Sequence, residues 1–513
     1  MEATFGDVTF LITIFLLSAT LLLLISRKKT RTGRRPPGPP AWPVFGNIFD
    51  LGSMPHQTLH SLRTKYGPVI WLRLGSMNTL VVQSAIAAAE LFKYHDLDFP
   101  DRKVPDAFTA WNFHESGLGL NSYSPYWRLL RRLYSAKFLS AKRINDSADM
   151  RRKCVDNLVK WIEAANGGEV DIGHLFFVAS FNLVGNLVLS RDVLSSESEE
   201  GFEFSDAMNK VMELGGKPNL ADFFPFLRRL DPAGVKREMV REMGRARTIV
   251  EKFVKDRIEE RKSGGEMNDE HDLLDVLLNQ KGDAKDPPVP ESKAIIAVLE
   301  MFFAGSETTS SIMEWTMTEL LQNPSSMRKV KEELDRVIGR SSSSKVEEGH
   351  LEELQYLQAV VKETLRLHPA IPLLLPRNAA KDTDFMGYSI PKDTQVLVNV
   401  WGIGRDGDSW AEPSAFQPER FIGSSVEFKG QNFELLPFGA GRRICVGYSL
   451  AHRTILLVVA TLLHLFDWEP AGGVESVDMR ERMGLTLRKL LPLKTITRRR
   501  AELLTEDEAE AKI

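Results

Sequence analysis

Cysteine is almost absent from this chain of 513 residues, which contains only Cys154 and Cys445. Two cysteines cannot form the disulfide framework of a small secreted domain. They indicate a reducing compartment, in which a lone thiol is free to act as a ligand or a nucleophile. A structural zinc site is also excluded, because the two cysteines lie far apart in sequence and no closely spaced histidine or cysteine accompanies either one.

The chain also has little net charge. It carries 66 basic and 69 acidic residues, for a net charge of −3. This balance gives the whole molecule no attraction to nucleic acid, so we expect no nucleic-acid partner. The composition is 43% hydrophobic and 26% charged, without the bias of disordered chains. Because no internal repeat or strong boundary interrupts residues 40–500, we expect one large domain.

One long uncharged run lies near the N-terminus, over residues 8–25. As a helix it spans roughly 27 Å at about 1.5 Å per residue, close to the hydrocarbon thickness of the endoplasmic reticulum bilayer. Acidic residues precede the run and six basic residues follow it, so the positive-inside bias puts the rest of the chain in the cytosol. We predict a single transmembrane anchor over residues 1–26, with a cleaved signal peptide as the alternative.

The segment after this run is basic and rich in proline. Residues 27–43 predict a stiff hinge, although a plain linker is an equally simple interpretation. We expect a catalytic domain over residues 44–500 and a charged tail over residues 501–513.

Hydrophobic periodicity predicts a mainly α fold with a small β-rich part. Two strands are expected at 69–74 and 79–82, with a helix after Ser84. A helix of about 32 residues, roughly 48 Å, is expected to begin with Ser292 as its N-cap and to end at Asn323. Further helices are expected at about 352–367 and from near Cys445 to Phe466.

The most specific segment is residues 438–447, Phe-Gly-Ala-Gly-Arg-Arg-Ile-Cys-Val-Gly. Its glycines permit a tight turn, and the helical pattern that follows places Cys445 at a helix N-terminus, where free N–H groups favour a thiolate. A thiolate bound to haem iron donates electron density that favours O–O cleavage. The alternative is an ordinary buried cysteine.

This segment matches Phe-x-x-Gly-x-Arg-x-Cys-x-Gly, the haem-binding signature of the cytochrome P-450 family, at every fixed position. The chain resembles that family over roughly residues 30–500. The resemblance implies the single large haem-thiolate monooxygenase fold, a haem b with Cys445 as its metal ligand, and NADPH acting indirectly through a diflavin reductase. The residues implied to bind the cofactor are Trp127, Arg131, Arg377, Phe438, Arg443, Cys445 and Gly447.

The family's structural triad is implied by two further segments. Glu363 and Arg366 share a helix face at i,i+3 spacing, and Arg420 stands in a Pro-Glu-Arg-Phe segment. Without the resemblance, Glu363 and Arg366 would be interpreted as a solvated surface ion pair worth under about 1 kcal/mol.

The segment Ala304 to Thr309 matches the family's oxygen-activating sequence. Small residues at 304 and 305 would let dioxygen and substrate approach the iron, and Thr308 can bond back to the Ala304 carbonyl. The resemblance assigns proton relay to Glu307 and Thr308 as the catalytic residues. The alternative is a polar helix face without a catalytic role.

The family's substrate-recognition regions supply a mainly apolar pocket, which selects lipophilic ligands. Each of its residues could equally be core packing. The overall look is that of plant microsomal members of specialised metabolism, with a terpenoid as first choice of substrate and an alkaloid as second. The expected pocket residues are Phe108, Trp111, Phe113, Phe302, Ala304, Ile371, Leu374 and Leu485.

Two rival functions differ in kind from a monooxygenase. One is a haem-thiolate isomerase or dehydratase that uses no dioxygen, and the other is a non-catalytic haem or electron-transfer protein. The intact acid–threonine pair argues against the first, and the size of the chain argues against the second. On the cysteine side we expect a reductase to dock on Arg128, Arg132, Arg442 and Arg453.

Overall fold

The computed structural model describes residues 33–195, 198–263, 272–280, 282, 287–340 and 344–500, together with positions 13, 15 and 18. Apart from those three positions, the predicted anchor lies outside the described residues. The predicted tail lies outside them entirely, and so does the first part of the hinge.

The described part of the hinge packs on the domain. The Trp71 N–H donates to the Pro37 carbonyl oxygen at 2.8 Å, and the Ser389 N–H donates to the Arg34 carbonyl oxygen at 2.9 Å. The Arg35 guanidinium lies over the Trp71 ring, 5.0 Å from its centroid. From residue 34 onward the segment is therefore a strap on the sheet and not a free linker.

Helices dominate the described residues. The α-helices are α1 (Pro55–Tyr66), α2 (Ala85–Tyr94), α3 (Phe113–Ser116), α4 (Pro125–Arg132), α5 (Ala141–Asp146), α6 (Ala148–Ala164), α7 (Ile172–Leu189), α8 (Glu199–Gly216), α9 (Leu220–Phe223), α10 (Val235–Lys262), α11 (Leu273–Leu278), α12 (Glu291–Gln322), α13 (Pro324–Ile338), α14 (Gln355–Leu367), α15 (Val400–Ile403) and α16 (Tyr448–Leu465). Short 3-10 turns occupy Ile48–Asp50, Asp106–Asn112, Pro225–Leu227, Glu348–Glu352, Pro418–Phe421, Gly441–Arg443 and Val474–Ser476, and a π-helical turn occupies Leu133–Phe138.

The strands form small sheets. They are β1 (Val69–Leu74), β2 (Met77–Val82), β3 (Asp101–Arg102), β4 (Glu169–Asp171), β5 (Arg377–Asn378), β6 (Thr383–Phe385), β7 (Tyr388–Ile390), β8 (Gln395–Val398), β9 (Phe466–Pro470), β10 (Glu481–Met483), β11 (Leu487–Lys489) and β12 (Lys494–Arg499). The main sheet has the order β1-β2-β8-β5-β3, and β10 and β11 form a hairpin. The mainly α fold with a small β-rich part is confirmed.

Local signals account for several element ends. The Ser84 side chain accepts the Ala87 N–H and caps α2, and the Ser124 side chain caps α4 by accepting the Trp127 N–H. The long helix α12 begins one residue before the predicted cap, so Ser292 lies inside the helix and makes no cap bond. It ends at Gln322, just before Pro324 begins α13.

Helix α12 crosses the centre of the protein. Its first half packs with α7, α8 and α10 in one apolar cluster, and its second half packs with α13, α14 and α16 in another. Among the described residues, α7 and α16 are long and apolar enough to span a membrane by length and composition alone, but about two thirds of each is buried in the protein. Both are therefore core helices.

Candidate active site

The cysteine loop begins at Phe438 and leads into α16. Gly439 and Gly441 adopt positive φ angles of 72° and 67°, which the turn requires and other residues rarely adopt. The Cys445 N–H donates to the Phe438 carbonyl oxygen at 3.0 Å and closes the loop. Gly447 is the N-cap of α16, so Cys445 lies just before the first turn, with its side chain exposed within the loop.

The surroundings of the Cys445 thiol act in opposite directions on its acidity. The protein atoms crowded around the thiol partly desolvate it and raise its pKa although the side chain keeps accessible surface, whereas hydrogen bonds from the Gly447 and Tyr448 N–H groups and the charge of Arg131 oppose that rise. The helix start thus favours a thiolate as predicted, but the net shift is upward. A bound metal cation reverses this balance, because it deprotonates a coordinating thiol outright.

The predicted cofactor-binding cations lie in one region. The Trp127 Nε1–H donates to the Leu118 carbonyl at 2.9 Å, and Arg131 Nη1 donates to the Ile444 carbonyl at 2.6 Å. The Arg443 side chain donates to the Pro100 and Asn121 carbonyls at 2.9 and 2.7 Å, with its guanidinium 4.4 Å from the Trp127 ring centroid. Loop carbonyls therefore fix these donors before any anion binds.

Arg102 belongs to the same group, and the sequence interpretation missed it. It is the cross-strand partner of Arg377 in the short β3–β5 pair. Burial lowers its pKa, and the neighbouring charges of Arg377 and Arg443 lower it further. Burial and Arg377 likewise lower the pKa of Arg443 to about 10. The local signal for Arg102 is weak, since its neighbour is 275 residues away in a strand of two residues.

The oxygen-activating segment lies on α12. Ala304 and Thr308 share one face of the helix, and the Thr308 hydroxyl donates to the Ala304 carbonyl at 2.7 Å. Both residues retain exposed surface although most of the helix around them is buried. A Cβ on Gly305 would come within 2.8 Å of the Val184 side chain, so the glycine is required for the close packing of α7 on α12.

Glu307 does not share the face of Thr308. Its carboxylate is buried and accepts the Thr486 hydroxyl at 2.8 Å, and the Arg488 Nε lies 2.6 Å from the same oxygen as an ion pair. One residue along an α-helix is a rotation of about 100°, so the acid points toward the β10–β11 hairpin. The two side chains therefore leave α12 in different directions, and the relay through Glu307 and Thr308 stays a prediction.

The structure does bring the triad residues together. Glu363 and Arg366 are fully buried and form a bidentate pair with both N–O distances at 2.7 Å. Arg420 Nε lies 3.0 Å from Glu363 Oε1, which also accepts the Gln417 N–H at 2.8 Å. This is a buried charge network, and the surface ion pair considered from the sequence is wrong.

Comparison with known proteins decides the family. The cytochrome P450 family model matches residues 36–494. This chain belongs to the cytochrome P450 family. It is 55% identical over 507 residues to iridoid oxidase of Catharanthus roseus, covering 96% of this chain and 98% of that protein. It is 47% identical to cytochrome P450 76A2 of Solanum melongena, covering 95% and 97%, and 39% identical to geraniol 8-hydroxylase of Catharanthus roseus, covering 96% and 99%.

Membership confirms several expectations. This cytochrome P450 is a haem-thiolate monooxygenase that holds haem b through a cysteine thiolate and acts on a lipophilic substrate with electrons from a redox partner. The residues present fit that cofactor. Cys445 lies in a glycine-turn loop, and the cations Arg102, Arg377 and Arg443 share the charge of Asp96, with Asp101 as a second acid beside Arg443. Their excess positive charge suits the two carboxylates of a haem.

Several of the predicted pocket residues of this P450 lie together. Phe108 and Phe113 have ring centroids 5.7 Å apart, and Phe113 meets Phe303 of α12 at 5.6 Å. Phe108 and Leu485 both contact Gly215 at the end of α8. Leu374 lies 3.5 Å from the position of a Cβ on Gly439, which places it at the cysteine loop. Ile371 is partly buried in the same turn as Leu374.

Two predicted pocket residues lie elsewhere. Trp111 is 44% exposed, and its Nε1–H donates to the Val240 carbonyl on α10 at 2.9 Å. Positive φ angles at Trp111 and Asn112 turn the chain so that this indole faces α10 and the Arg247 guanidinium. Phe302 is 1% exposed and packs in an aromatic cluster of α7, α8 and α12. It is core packing, the alternative left open by the sequence.

Glu300 is a second residue that the sequence interpretation missed. Its carboxylate is buried and accepts the Leu118 and Gly119 N–H groups at 2.5 and 2.7 Å. The carbonyls of the same two residues accept hydrogen bonds from Trp127 and Arg102. Glu300 therefore orders the loop from which the cofactor-binding side chains are held. Burial raises its pKa despite the two N–H donors.

Proposed function

We propose that this chain inserts one oxygen atom from dioxygen into a terpenoid at the endoplasmic reticulum membrane, with NADPH as the electron source through a diflavin reductase. The 55% identity to iridoid oxidase over nearly the whole chain carries the choice of substrate class. Geraniol 8-hydroxylase and drimenol monooxygenase of Persicaria hydropiper, at 39% and 38% identity, support the same class. An alkaloid remains the second candidate.

The overall reaction balances as a monooxygenation. A C–H bond of the substrate becomes C–OH, and the second oxygen atom leaves as water with two protons and the two electrons of NADPH. Bound haem supplies the reductive activation of dioxygen, which the Cys445 thiolate promotes by donating electron density. The protein contributes the shaped apolar cleft, the fixed cations and a route for protons.

Thr308 is the group best placed to hold a proton in the cleft. Its hydroxyl hydrogen is engaged by the Ala304 carbonyl, so its oxygen can accept a hydrogen bond from a water molecule in the groove. Glu307 would pass protons to that water from the side of α12 that faces the β10–β11 hairpin, once its carboxylate is released from its partners there. We therefore keep both residues as the relay, with Thr308 as the member in the cleft.

The cysteine side offers a smaller reductase-docking surface than the sequence suggested. Arg442 Nε is ion-paired with Asp96 at 2.6 Å, and Arg453 lies 3.4 Å from Glu348. Arg128 and Arg132 on α4 are exposed. Because Arg442 and Arg453 are partly buried whereas the two arginines of α4 are exposed, we assign docking to α4 and its neighbouring loop.

An exposed aromatic surface supports a membrane location. Trp42, Phe45 and Phe49 follow the hinge and are 60%, 45% and 68% exposed, and Phe226 is 76% exposed. The Phe45 ring lies 6.1 Å from that of Phe224, so the two segments adjoin. An apolar patch on the segment that follows the predicted anchor in sequence fits the bilayer interface, where aromatic residues concentrate.

The experiment that tests this function uses membranes that contain the protein, a diflavin reductase and NADPH, supplied with ¹⁸O₂ and a panel of terpenoids and alkaloids. We expect a terpenoid product that carries one ¹⁸O atom per oxidation. Product without ¹⁸O would establish an isomerase or dehydratase instead. Labelled product from alkaloids alone would contradict the terpenoid assignment and leave the monooxygenase activity standing.

The role of Thr308 is tested in the same assay. Thr308→Ala should consume NADPH and release peroxide with little labelled product, since loss of a positioned proton donor typically costs about 10²–10⁴ in rate. Thr316→Ala is the matched control. That threonine makes the same bond to the carbonyl four residues earlier, at 2.7 Å, but is buried on the second half of α12. Wild-type product per NADPH in Thr308→Ala would show that the residue is only structural.

A further inference from the structure

The β10–β11 hairpin holds the acid that the proposed relay needs. Glu307 Oε1 accepts the Thr486 hydroxyl and is ion-paired with the Arg488 Nε, whereas its buried Oε2 has no hydrogen-bond partner within the described part of the chain. The pair is only partly shielded, because the Arg488 side chain is 33% exposed and that of Glu307 is 5% exposed. The carboxylate is thus held at one oxygen and free at the other.

The same hairpin also reaches the substrate pocket. Thr486 and Arg488, two residues apart, both contact Glu307 and therefore face α12 together, whereas Leu485 lies in the turn before β11. The Leu485 side chain lies beside Gly215, next to the Phe108 ring. The Ser311 hydroxyl donates to the Leu487 carbonyl at 3.1 Å and fixes the far end of the turn on α12. Leu485 and Thr486 are adjacent in this turn, so a single peptide bond joins the pocket side of the hairpin to the side that holds Glu307.

We propose that Thr486 and Arg488 are positioning residues that hold Glu307 out of the proton relay until a substrate displaces Leu485 and the turn releases the carboxylate. The inference rests on the monooxygenase function proposed above. It gives the hairpin a task beyond lining the pocket, because substrate occupancy and proton supply are coupled through one short turn. Without substrate, the closed pair limits futile reduction of dioxygen.

Linkage fixes the sign of the expected effect. If substrate binding breaks the Glu307–Arg488 pair, then breaking the pair by mutation must favour substrate binding by the same factor. Arg488→Gln should therefore bind substrate more tightly, by about threefold to tenfold for a partly exposed ion pair. A merely structural role for Arg488 predicts the opposite, because a loosened pocket wall weakens binding.

The first measurement is binding of radiolabelled geraniol to the haem-loaded protein by equilibrium dialysis. We expect a lower Kd in Arg488→Gln, a smaller decrease in Thr486→Val and a Kd near the wild-type value in Arg488→Lys. Arg482→Gln is the matched control, since Arg482 is the exposed cross-strand partner of Arg488 and its loss removes the same charge from the same hairpin. A Kd in Arg488→Gln that is unchanged or raised relative to Arg482→Gln overturns the proposal.

The second measurement needs no substrate. With reductase and NADPH alone, Arg488→Gln should consume NADPH several-fold faster than wild type, because the relay acid is no longer held. A rate equal to that of Arg482→Gln overturns the proposal even if the ¹⁸O experiment succeeds. Product without ¹⁸O, together with the expected change in Kd, would instead contradict the proposed monooxygenase function. The coupling between the pocket and Glu307 would still stand.

Discussion

The buried charge network around Glu363 should contribute strongly to the free energy of unfolding, and its loss can be measured. Glu363→Ala removes the acceptor of four hydrogen bonds, two from Arg366, one from Arg420 and one from the Gln417 N–H. The Gln417 N–H alone would cost about 1–3 kcal/mol when left buried and unpaired. Two cations would also lose their counter-charge, for which removal of one partner typically costs about 3–5 kcal/mol.

The costs for the unpaired N–H and for the two cations are not additive, because both arginines keep other hydrogen-bond acceptors when Glu363 is removed. Arg366 also donates to the carbonyls of Gly404, Pro413 and Ala415, and Arg420 donates to that of Ala411. We therefore expect a total loss of about 3–5 kcal/mol for Glu363→Ala. Arg420→Ala should cost less, about 1.5–3 kcal/mol, since it leaves Glu363 paired with Arg366.

Urea unfolding of the haem-loaded protein, followed by far-ultraviolet circular dichroism, measures this loss. At an m-value of about 3 kcal/mol/M, the midpoint should fall by about 1–1.7 M for Glu363→Ala. Glu213→Ala is the control, because it makes the same change in a helix at an exposed pair with Lys217 and should cost under about 1 kcal/mol. Equal midpoints for Glu363→Ala and Glu213→Ala would refute the reasoning.

Three further predictions follow from the site and its surroundings. Cys445→Ser should abolish the long-wavelength absorption band of the reduced carbon monoxide complex, whereas Cys154→Ser should keep it; a persistent band in folded Cys445→Ser would contradict the ligand assignment. Reversing the charges of Arg128 and Arg132 to Glu should raise the reductase concentration needed for half-maximal turnover and weaken its salt dependence, and two Lys→Glu changes on the exposed side of α10 should do neither. Burial lowers the pKa of His452 to about 4, so the folded state binds its proton more weakly than the unfolded state, whose pKa is 6.5. This contribution to stability is complete above pH 6.5 and falls by up to about 3 kcal/mol as the pH drops toward 4; acid unfolding of His452→Phe should be less steep over that window, and an identical profile would contradict it.

The parts of the fold that the sequence predicted are those encoded locally. The strand pair β1–β2, the cap at Ser84 and the lengths of α12 and α16 each follow from periodicity and turn residues within one segment. The triad could also be predicted, because Arg366 stands three positions after Glu363 and the third member stands in a recognisable segment. In a family motif of this kind, a short sequence pattern predicts a contact between residues that are far apart in the chain.

The missed contacts depend on pairings between distant segments. Arg102 meets Arg377 only because two strands of two residues pair, and such strands carry no periodic signal. Glu307 finds Thr486 and Arg488 179 and 181 positions further along the chain. Trp111 lies outside the predicted pocket because Trp111 and Asn112 both adopt left-handed backbone angles. The identities of these two residues do not predict that conformation.

Four polar side chains of α12 form a stripe along one side of the helix and hold the segments packed against it. Glu300, Glu307, Ser311 and Glu314 lie at intervals of seven, four and three, which places them on one stripe of the helix. Glu300 holds the loop at 118–119, Glu307 and Ser311 hold the β10–β11 hairpin, and the Glu314 carboxylate accepts the Leu493 N–H at 2.8 Å.

The face that carries Ala304 and Thr308 is turned by roughly 70° from the middle of this stripe, since each residue advances the helix by about 100°. In the proposed function, helix α12 thus has two tasks: its small-residue face forms one wall of the substrate cleft, and its polar stripe fixes the segments that we assign to the other walls. The pocket residues on those segments can change with the substrate while the stripe keeps both segments on the helix. Glu307 is the one member of the stripe whose next neighbour in sequence, Thr308, belongs to the cleft, and that adjacency makes it the point at which the two tasks can be coupled.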